Sequence, residues 1–172
     1  MQEILFIIGQ SLGIVAIVLG FINYQMKTRK QVLFMNWLTA ICFTLHYMFI
    51  GAYVGMAMNF VACIRNVVFY YAGKEGKVGR IWGILFAVIM AIVGVLNWEA
   101  WYSIFAVSGL VINTYAMSMT NPNSIRKSIL ITSPLMLVYD SFVLSFGGMI
   151  YEGMVIVSSI IGIWRFRKSK SN

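Results

Sequence analysis

The sequence has little charge: only 10% of its 172 residues are Asp, Glu, Lys or Arg, whereas a soluble domain carries about 25%. Such a chain cannot maintain a solvated surface, and with 60% hydrophobic residues its composition favours lipid as the surrounding solvent. The two cysteines, Cys42 and Cys63, lie in apolar segments, and the chain has a single histidine. The sequence therefore offers neither a disulfide framework nor a ligand set for a metal.

Sequence signatures of catalysis are also missing. The chain contains no zinc-protease, nucleophile-elbow, phosphate-loop or Cys-x-x-Cys motif. Intramembrane hydrolysis by carboxylates needs two acids that face each other, and only Asp140 is expected at membrane depth. The segments predicted outside the membrane are too short to contain a nucleotide-binding domain. We therefore expect a protein that is not an enzyme and that has no cofactor.

The basic residues that are present occur in clusters. Twelve of the thirteen Lys and Arg fall in four short clusters beside apolar segments, and Arg65 is the exception. This placement is typical of the cytoplasmic loops of a membrane protein, so the net charge of +8 does not indicate a nucleic-acid partner. No basic region precedes the first apolar segment, which is therefore predicted to be a retained spanning helix and not a signal peptide.

The apolar segments predict seven spanning helices, at residues 3–26, 31–50, 53–72, 81–96, 101–119, 128–146 and 149–164. The predicted breaks include a basic turn at 27–30, a polar loop at 74–80, a polar turn at 120–127 and the pair Gly147-Gly148, and Pro134 is expected to kink the first two turns of helix six. Basic clusters follow helices one, three, five and seven. This alternation predicts an all-α membrane protein with the N-terminus outside and the C-terminus in the cytoplasm.

The two halves of the chain match each other. Ile22-Asn23 aligns with Ile112-Asn113, Gly51 with Gly148, and the stretch from Asn59 to Arg65 with that from Ser159 to Arg165. Because helix four intervenes, both copies run in the same direction, which predicts parallel repeats in a 3+1+3 arrangement. The prediction is a single membrane domain with a first three-helix repeat at 1–73, a linker helix with its loops at 74–99, and a second repeat at 100–172.

Four stretches carry a resemblance to a known family: Lys27-Thr-Arg-Lys30, His46 followed by Gly51-Ala-Tyr, Asn59-Phe-Val-Ala-Cys-Ile-Arg65, and Gly147-Gly-Met-Ile-Tyr-Glu152-Gly leading to Trp164-Arg-Phe-Arg167. With these the chain resembles the YgjV-type bacterial inner-membrane proteins over nearly its full length. The resemblance implies a multi-pass protein of the bacterial inner membrane. More distantly, the chain is similar to the SWEET-type sugar transporters and the PnuC vitamin transporters, which share the 3+1+3 arrangement. The proline of their hinge is absent at the matching positions here.

Ionisable residues at membrane depth are the first functional candidates. Arg65 is predicted about 12 Å of helix rise from the cytoplasmic end of helix three, where it either snorkels or pairs structurally, or forms a positive wall for an anionic or polar solute. Asp140 is expected near the middle of the membrane, with Arg65 or His46 as its partner. Such a pair either neutralises itself or forms a proton or cation step. His46 is either a hydrogen-bonded core residue or a part of the same route.

Amide side chains recur at helical spacing. Asn36 shares a face of helix two with His46, and Asn59 shares a face of helix three with Asn66. Both faces are predicted to point into the bundle, where the amides either bridge helices or bind a solute. Asn23 and Asn113, matched across the repeats, are either gate residues or helix-end hydrogen bonders.

Two further polar residues complete the candidates. Ser159 occupies the repeat position of Asn59. Glu152 is expected in a solvated loop at the outer boundary, with guarding the outer mouth as the alternative. The predicted substrate-binding or translocation residues are therefore Asn23, Asn36, His46, Asn59, Arg65, Asn66, Asn113, Asp140 and Ser159.

The leading functional hypothesis is a transporter or facilitator that moves a small polar solute between two three-helix bundles through a mid-membrane site. The expected partners are membrane lipids and that solute, without nucleic acid, and a homo-oligomer remains open. Two alternatives remain. One is a non-transporting accessory or interaction protein of the membrane, and the other is a lipid-handling protein whose Arg65 and basic turns hold anionic headgroups.

Overall fold

The computed structural model describes residues 2–23, 26, 28–72, 79–119 and 122–170. Within these residues the chain forms seven α-helices and no β-strand, which confirms the predicted all-α class and the number of helices. The helices are α1 (Gln2–Asn23), α2 (Arg29–Ile50), α3 (Tyr53–Ala72), α4 (Arg80–Leu96), α5 (Ser103–Met117), α6 (Pro122–Phe142) and α7 (Phe146–Lys170). Most of the predicted basic turn at 27–30 is described, whereas Lys27 and most of the predicted loop 74–80 lie outside the described residues.

Both ends of α2 follow local sequence rules. Thr28 and Gln31 form a reciprocal capping box at the start of α2, with two hydrogen bonds of 3.3 Å. Gly51 ends α2 in the left-handed conformation, at a φ of 81°, which costs glycine little. Helix α3 then begins at Tyr53, as predicted.

The start of α6 differs from the prediction. The segment from Pro122 to Lys127 is helical, so the predicted polar turn at 120–127 is wrong from residue 122 onward. Proline is well suited to the first position of a helix, because its missing N–H has no intrahelical partner there and its φ is already helical. Pro134 consequently lies in the middle of α6 and not in its first two turns.

The break between α6 and α7 also differs from the prediction. It falls at residues 143–145, where Leu144 has a φ of 53°, and Gly147 and Gly148 belong to α7. The pair serves close packing instead of a turn. A Cβ on Gly147 would lie 2.6 Å from Cα of Gly13 in α1, and a Cβ on Gly148 would lie 2.5 Å from the carboxylate of Asp140.

The exterior of the bundle differs from that of a soluble protein. Large aliphatic side chains such as Ile4, Ile7, Ile81 and Leu96 are at least 64% exposed, whereas several polar side chains, among them His46, Thr114 and Asp140, are fully buried. Three helices in the described part are long and apolar enough to cross a membrane, at Glu3–Asn23, Lys30–Ile50 and Tyr53–Ala72. Three shorter apolar helices lie at Arg80–Leu96, Ser103–Met117 and Phe146–Ile161. An apolar exterior, with polar side chains buried among the apolar residues of the core, is the pattern expected in lipid.

Consecutive helices run in opposite directions. Their contacts define two ends of the bundle, a turn end at residues 51–52, 97–102 and 143–145, and a basic end at which α2, α4 and α6 begin. The exposed residues Lys30, Arg80 and Lys127 all lie at the basic end. Helix α1 packs against α2 and α7, while α4 packs against α3 and α5. Helices α2, α3, α5, α6 and α7, together with the end of α1, surround the centre of the bundle.

Candidate functional site

The centre of the bundle contains a cavity of about 560 Å³, within the size range of small-molecule sites. Six helices contribute to its wall, α1, α2, α3, α5, α6 and α7, and none of the described α4 residues does. Six of the nine predicted site residues line it: Asn23, Asn36, Asn59, Arg65, Asn66 and Asn113. The amide and guanidinium side chains that were predicted to face the interior therefore share one space.

Arg65 is the charged group on the α3 side of the cavity, and only 4% of its surface is exposed. Its Nη1 donates to Oγ1 of Thr114 in α5 at 2.7 Å, and its Nε and Nη2 donate to Oδ1 of Asn66 at 3.3 and 3.0 Å. Both partners are neutral, and no ion pair to Arg65 occurs among the described residues. The guanidinium is thus held in place, and none of the described residues compensates its charge with an ion pair.

The asparagines are fixed by hydrogen bonds across and along helices. Nδ2 of Asn23 donates to Oδ1 of Asn36 at 2.8 Å and joins the end of α1 to the start of α2. Oδ1 of Asn23 has no hydrogen-bond partner within the described part of the chain. Nδ2 of Asn59 donates to the carbonyl of Gly55 one turn earlier, at 2.9 Å. Acceptor and donor groups of the amides therefore remain available on the cavity wall.

Glu152 also lines the cavity, contrary to its expected position in a solvated loop. Because α7 begins at Phe146, Glu152 lies within the helix, in its second turn. It is half-buried, and Ser133 of α6 lines the same part of the wall beside it. The wall of one cavity thus carries a guanidinium and a carboxylate that form no ion pair with each other.

His46 and Asp140 do not line the cavity and lie near the turn end, two to four residues before their helices finish. Asp140 lies closer to the end of its helix than predicted, because α6 begins and ends earlier than predicted. Neither of its expected partners, Arg65 or His46, is hydrogen-bonded to it: Oδ1 of Asp140 accepts a 2.6 Å hydrogen bond from the hydroxyl of Tyr47, and Oδ2 has no partner among the described residues.

His46 of α2 joins α1 to the turn between α6 and α7. Its Nδ1 lies 2.7 Å from the carbonyl oxygen of Gly9 in α1, and its Nε2 lies 2.7 Å from Oγ of Ser145. Since a carbonyl only accepts, Nδ1 carries a proton, and Nε2 of the neutral ring accepts from the serine hydroxyl. Ser145 in turn accepts from the N–H of Gly148 at 3.2 Å. This buried cluster, His46, Tyr47, Asp140 and Ser145, fastens α1, α2, α6 and α7 together at the turn end.

The last predicted residue, Ser159, is buried in α7 and is not part of the described cavity wall. Sequence reasoning also missed residues that the site uses. Thr114 directly follows the candidate Asn113, and Tyr47 directly follows His46, so each lay beside a chosen residue. Ser145 was missed because the break was predicted at Gly147-Gly148, although a serine just before a helix is a common N-cap residue. Among the described residues, no group of three His, Cys, Asp or Glu side chains converges on a metal-sized space.

The arrangement favours binding over covalent chemistry, since a fixed cation, a carboxylate and several amides surround an open volume. The sequence profile of a family described as bacterial inner membrane protein, Imp-YgjV, matches residues 7–170. No curated protein and no solved structure matches the chain.

Proposed function

The chain belongs to this bacterial inner membrane protein family, and from that premise we propose that it is a transporter or facilitator of a small polar solute. The solute enters the central cavity and contacts the guanidinium of Arg65 and the surrounding asparagines. The observation that carries the proposal is the buried, uncompensated charge of Arg65 on the wall of a cavity large enough for a small molecule.

Energetics support this reading. Placing a guanidinium at membrane depth costs at least about 2.5 kcal/mol on insertion scales, and the neutral partners Thr114 and Asn66 do not cancel its charge. If this position had a purely structural role, we would expect a hydrophobic residue there, or an arginine that is paired with a carboxylate. A bound solute offers the missing compensation. Polar groups that line a cavity inside a membrane protein are typical of transport pathways.

The proposal includes a topology. The basic end faces the cytoplasm, because Lys30, Arg80 and Lys127 lie there together, and the protein is multi-pass in the inner membrane. Helices α1–α3 and α5–α7 form two parallel repeats, with α4 as the linker. In support, α4 contributes none of the described cavity-lining residues and packs on α3 and α5. The repeats meet where Gly13 of α1 approaches Gly147 of α7.

Solute entry into proteoliposomes tests the proposal. Swelling is followed by light scattering with ribitol, glycine, gluconate and 6-aminohexanoate, and protein-free liposomes give the baseline rate. We expect the protein to accelerate entry of at least one probe, and Arg65→Gln to reduce that acceleration at least about tenfold because a buried charged contact is lost. Arg80→Gln removes the same charge from an exposed position and should leave the rate unchanged.

Each variant is first compared with the wild type by gel filtration and thermal unfolding, so that a misfolded protein is recognised. Entry no faster than in protein-free liposomes for all four probes contradicts the proposal. Equal rates for the wild type and a folded Arg65→Gln protein contradict the assigned site.

A further inference from the structure

The cavity wall carries two ionisable side chains of opposite type on different helices, the guanidinium of Arg65 on α3 and the carboxyl group of Glu152 on α7. They form no ion pair with each other, and the described residues provide neither of them with another one. Arg65 bonds only to Thr114 and Asn66, and Glu152 lies beside the hydroxyl of Ser133. A protein that needed the pair for stability would bring the two groups into contact. Here each lines the same cavity separately.

The two charges also lie at different levels along the bundle. Gly55 of α3 and Gly148 of α7 flank the Tyr47–Asp140 pair, since a Cβ on Gly55 would lie 2.8 Å from the Tyr47 ring and one on Gly148 would lie 2.5 Å from the Asp140 carboxylate. From there α3 rises about 15 Å to Arg65, whereas α7 rises about 6 Å to Glu152. Both helices run toward the basic end, so the Cα atoms of Arg65 and Glu152 are offset by about 9 Å along the bundle.

Each of the two ionisable side chains has a neutral amide at its own level along the bundle. Near Arg65, the oxygen of Asn66 accepts from the guanidinium, which leaves the amide N–H groups of Asn66 as further donors for an anion. Near Glu152, Asn59 lies at the same level, four residues beyond Gly55, and uses its amide nitrogen to donate to Gly55. Its amide oxygen remains as an acceptor on the cavity wall. One region of the cavity therefore suits an anionic group and the other suits a cationic group.

We propose that the solute is a zwitterion of the ω-amino acid type, with its carboxylate on Arg65 and its ammonium group on Glu152. This inference rests on the proposed function and specifies the substrate of the same site. An uncharged solute offers no counter-charge to either side chain, and a simple anion offsets Arg65 but offers nothing to Glu152. A dipolar solute offsets both. Because the two sites are far apart, the charges of the solute are separated more widely than in an α-amino acid.

Binding to the detergent-solubilised protein tests the inference without any measurement of transport. The readout is the rise in Tm with glycine, 4-aminobutyrate and 6-aminohexanoate, which carry the same two charged groups at increasing separation. Hexanoate and hexylammonium carry one charge each on a chain of the same length. We expect 6-aminohexanoate to give the largest rise, roughly 5 °C at a concentration about a hundredfold above its Kd.

Two variants are expected to change which probe the protein binds best, in opposite directions. Glu152→Gln should bind hexanoate better than 6-aminohexanoate, and Arg65→Gln should favour hexylammonium, because each keeps only one of the two charges. The matched controls Glu3→Gln and Arg80→Gln change exposed residues outside the cavity and should keep the wild-type order. The comparison uses rank order within each protein, so a general loss of stability in one variant does not affect it.

The zwitterion proposal is overturned if the wild type responds to hexanoate as strongly as to 6-aminohexanoate, if no probe raises Tm, or if folded Glu152→Gln keeps the wild-type order. Binding of 6-aminohexanoate with the predicted exchange of preference, but with no solute entry into proteoliposomes, overturns only the transport function. If the protein accelerates entry of ribitol, and the Glu152→Gln and Arg65→Gln variants keep the wild-type order of Tm rises among the probes, only the zwitterion proposal is overturned.

Discussion

The hydroxyl of Tyr47 in α2 donates a 2.6 Å hydrogen bond to Oδ1 of Asp140 in α6, and both side chains are almost completely buried. Tyr47 also lines the cavity, whereas Asp140 lies behind it. The bond therefore fixes one wall of the cavity to the buried cluster at the turn end. Removing one partner of such a buried hydrogen bond is costly, because the polar group that remains cannot reach water.

Tyr47→Phe removes the donor and leaves both carboxylate oxygens of Asp140 without a partner. We expect the free energy of unfolding to fall by about 1–3 kcal/mol, measured by denaturant titration in detergent. Asp140→Asn retains an oxygen that accepts from Tyr47, so its effect should be smaller. The reverse order of the two variants would contradict the assigned donor and acceptor.

Close contact of α1 and α7 depends on two glycines. Gly147→Ala places a methyl group 2.6 Å from Cα of Gly13, a backbone atom that moves only if a whole helix shifts. We expect a loss of about 1–3 kcal/mol in the free energy of unfolding. Gly153→Ala is the matched control on the same helix, since a Cβ there meets no atom within 4 Å. It should be neutral or stabilise the protein by up to about 1 kcal/mol through helix propensity.

The N-terminus of α3 is capped from a distant part of the chain. A carboxylate oxygen of Glu99 accepts from the N–H groups of Tyr53 and Val54, and the hydroxyl of Tyr139 accepts from the N–H of Gly55 at 3.0 Å. Glu99→Ala should lower the free energy of unfolding by about 0.5–2 kcal/mol, as the loss of a helix cap does. Glu99→Gln retains an acceptor and should cost less. Equal stability of all three proteins would show that the cap contributes nothing.

Much of the interior could be predicted because polar residues at helical spacing have few roles in a membrane helix. Asn36 recurs on the face of His46, and Asn59 on that of Asn66, and three of these four line the cavity. Arg65 was identifiable as the one basic residue outside the clusters. Helix α3 was located to the residue, since Gly51 both ends α2 and separates two uncharged stretches.

The errors came from residues whose effect depends on context. Pro122 was interpreted as part of a turn, although it opens α6, and Gly147-Gly148 was interpreted as the next turn, although the pair lies inside α7. Both shifts moved Asp140 to the end of its helix and Glu152 into the bundle. Proline at a first helical position and glycine at a helix crossing have the same local signature as a turn. Only the packing partners, here Gly13 and Asp140, distinguish the two.

Thr114 holds the guanidinium of Arg65 by a hydrogen bond. Variants at this position test whether the contact only supports the fold or also positions Arg65 for the solute. The threonine hydroxyl accepts from Nη1 at 2.7 Å and is fully buried. Thr114→Ala removes the acceptor, so the guanidinium loses its link to α5. We expect lower stability by about 1–3 kcal/mol and, where a probe is bound, weaker preference for its carboxylate, measured as the Tm rise with 6-aminohexanoate relative to hexylammonium. Thr114→Ser keeps the hydroxyl and should restore both values. If Thr114→Ala lowers stability but leaves the preference between the two probes unchanged, Thr114 supports the fold without positioning Arg65 for the solute.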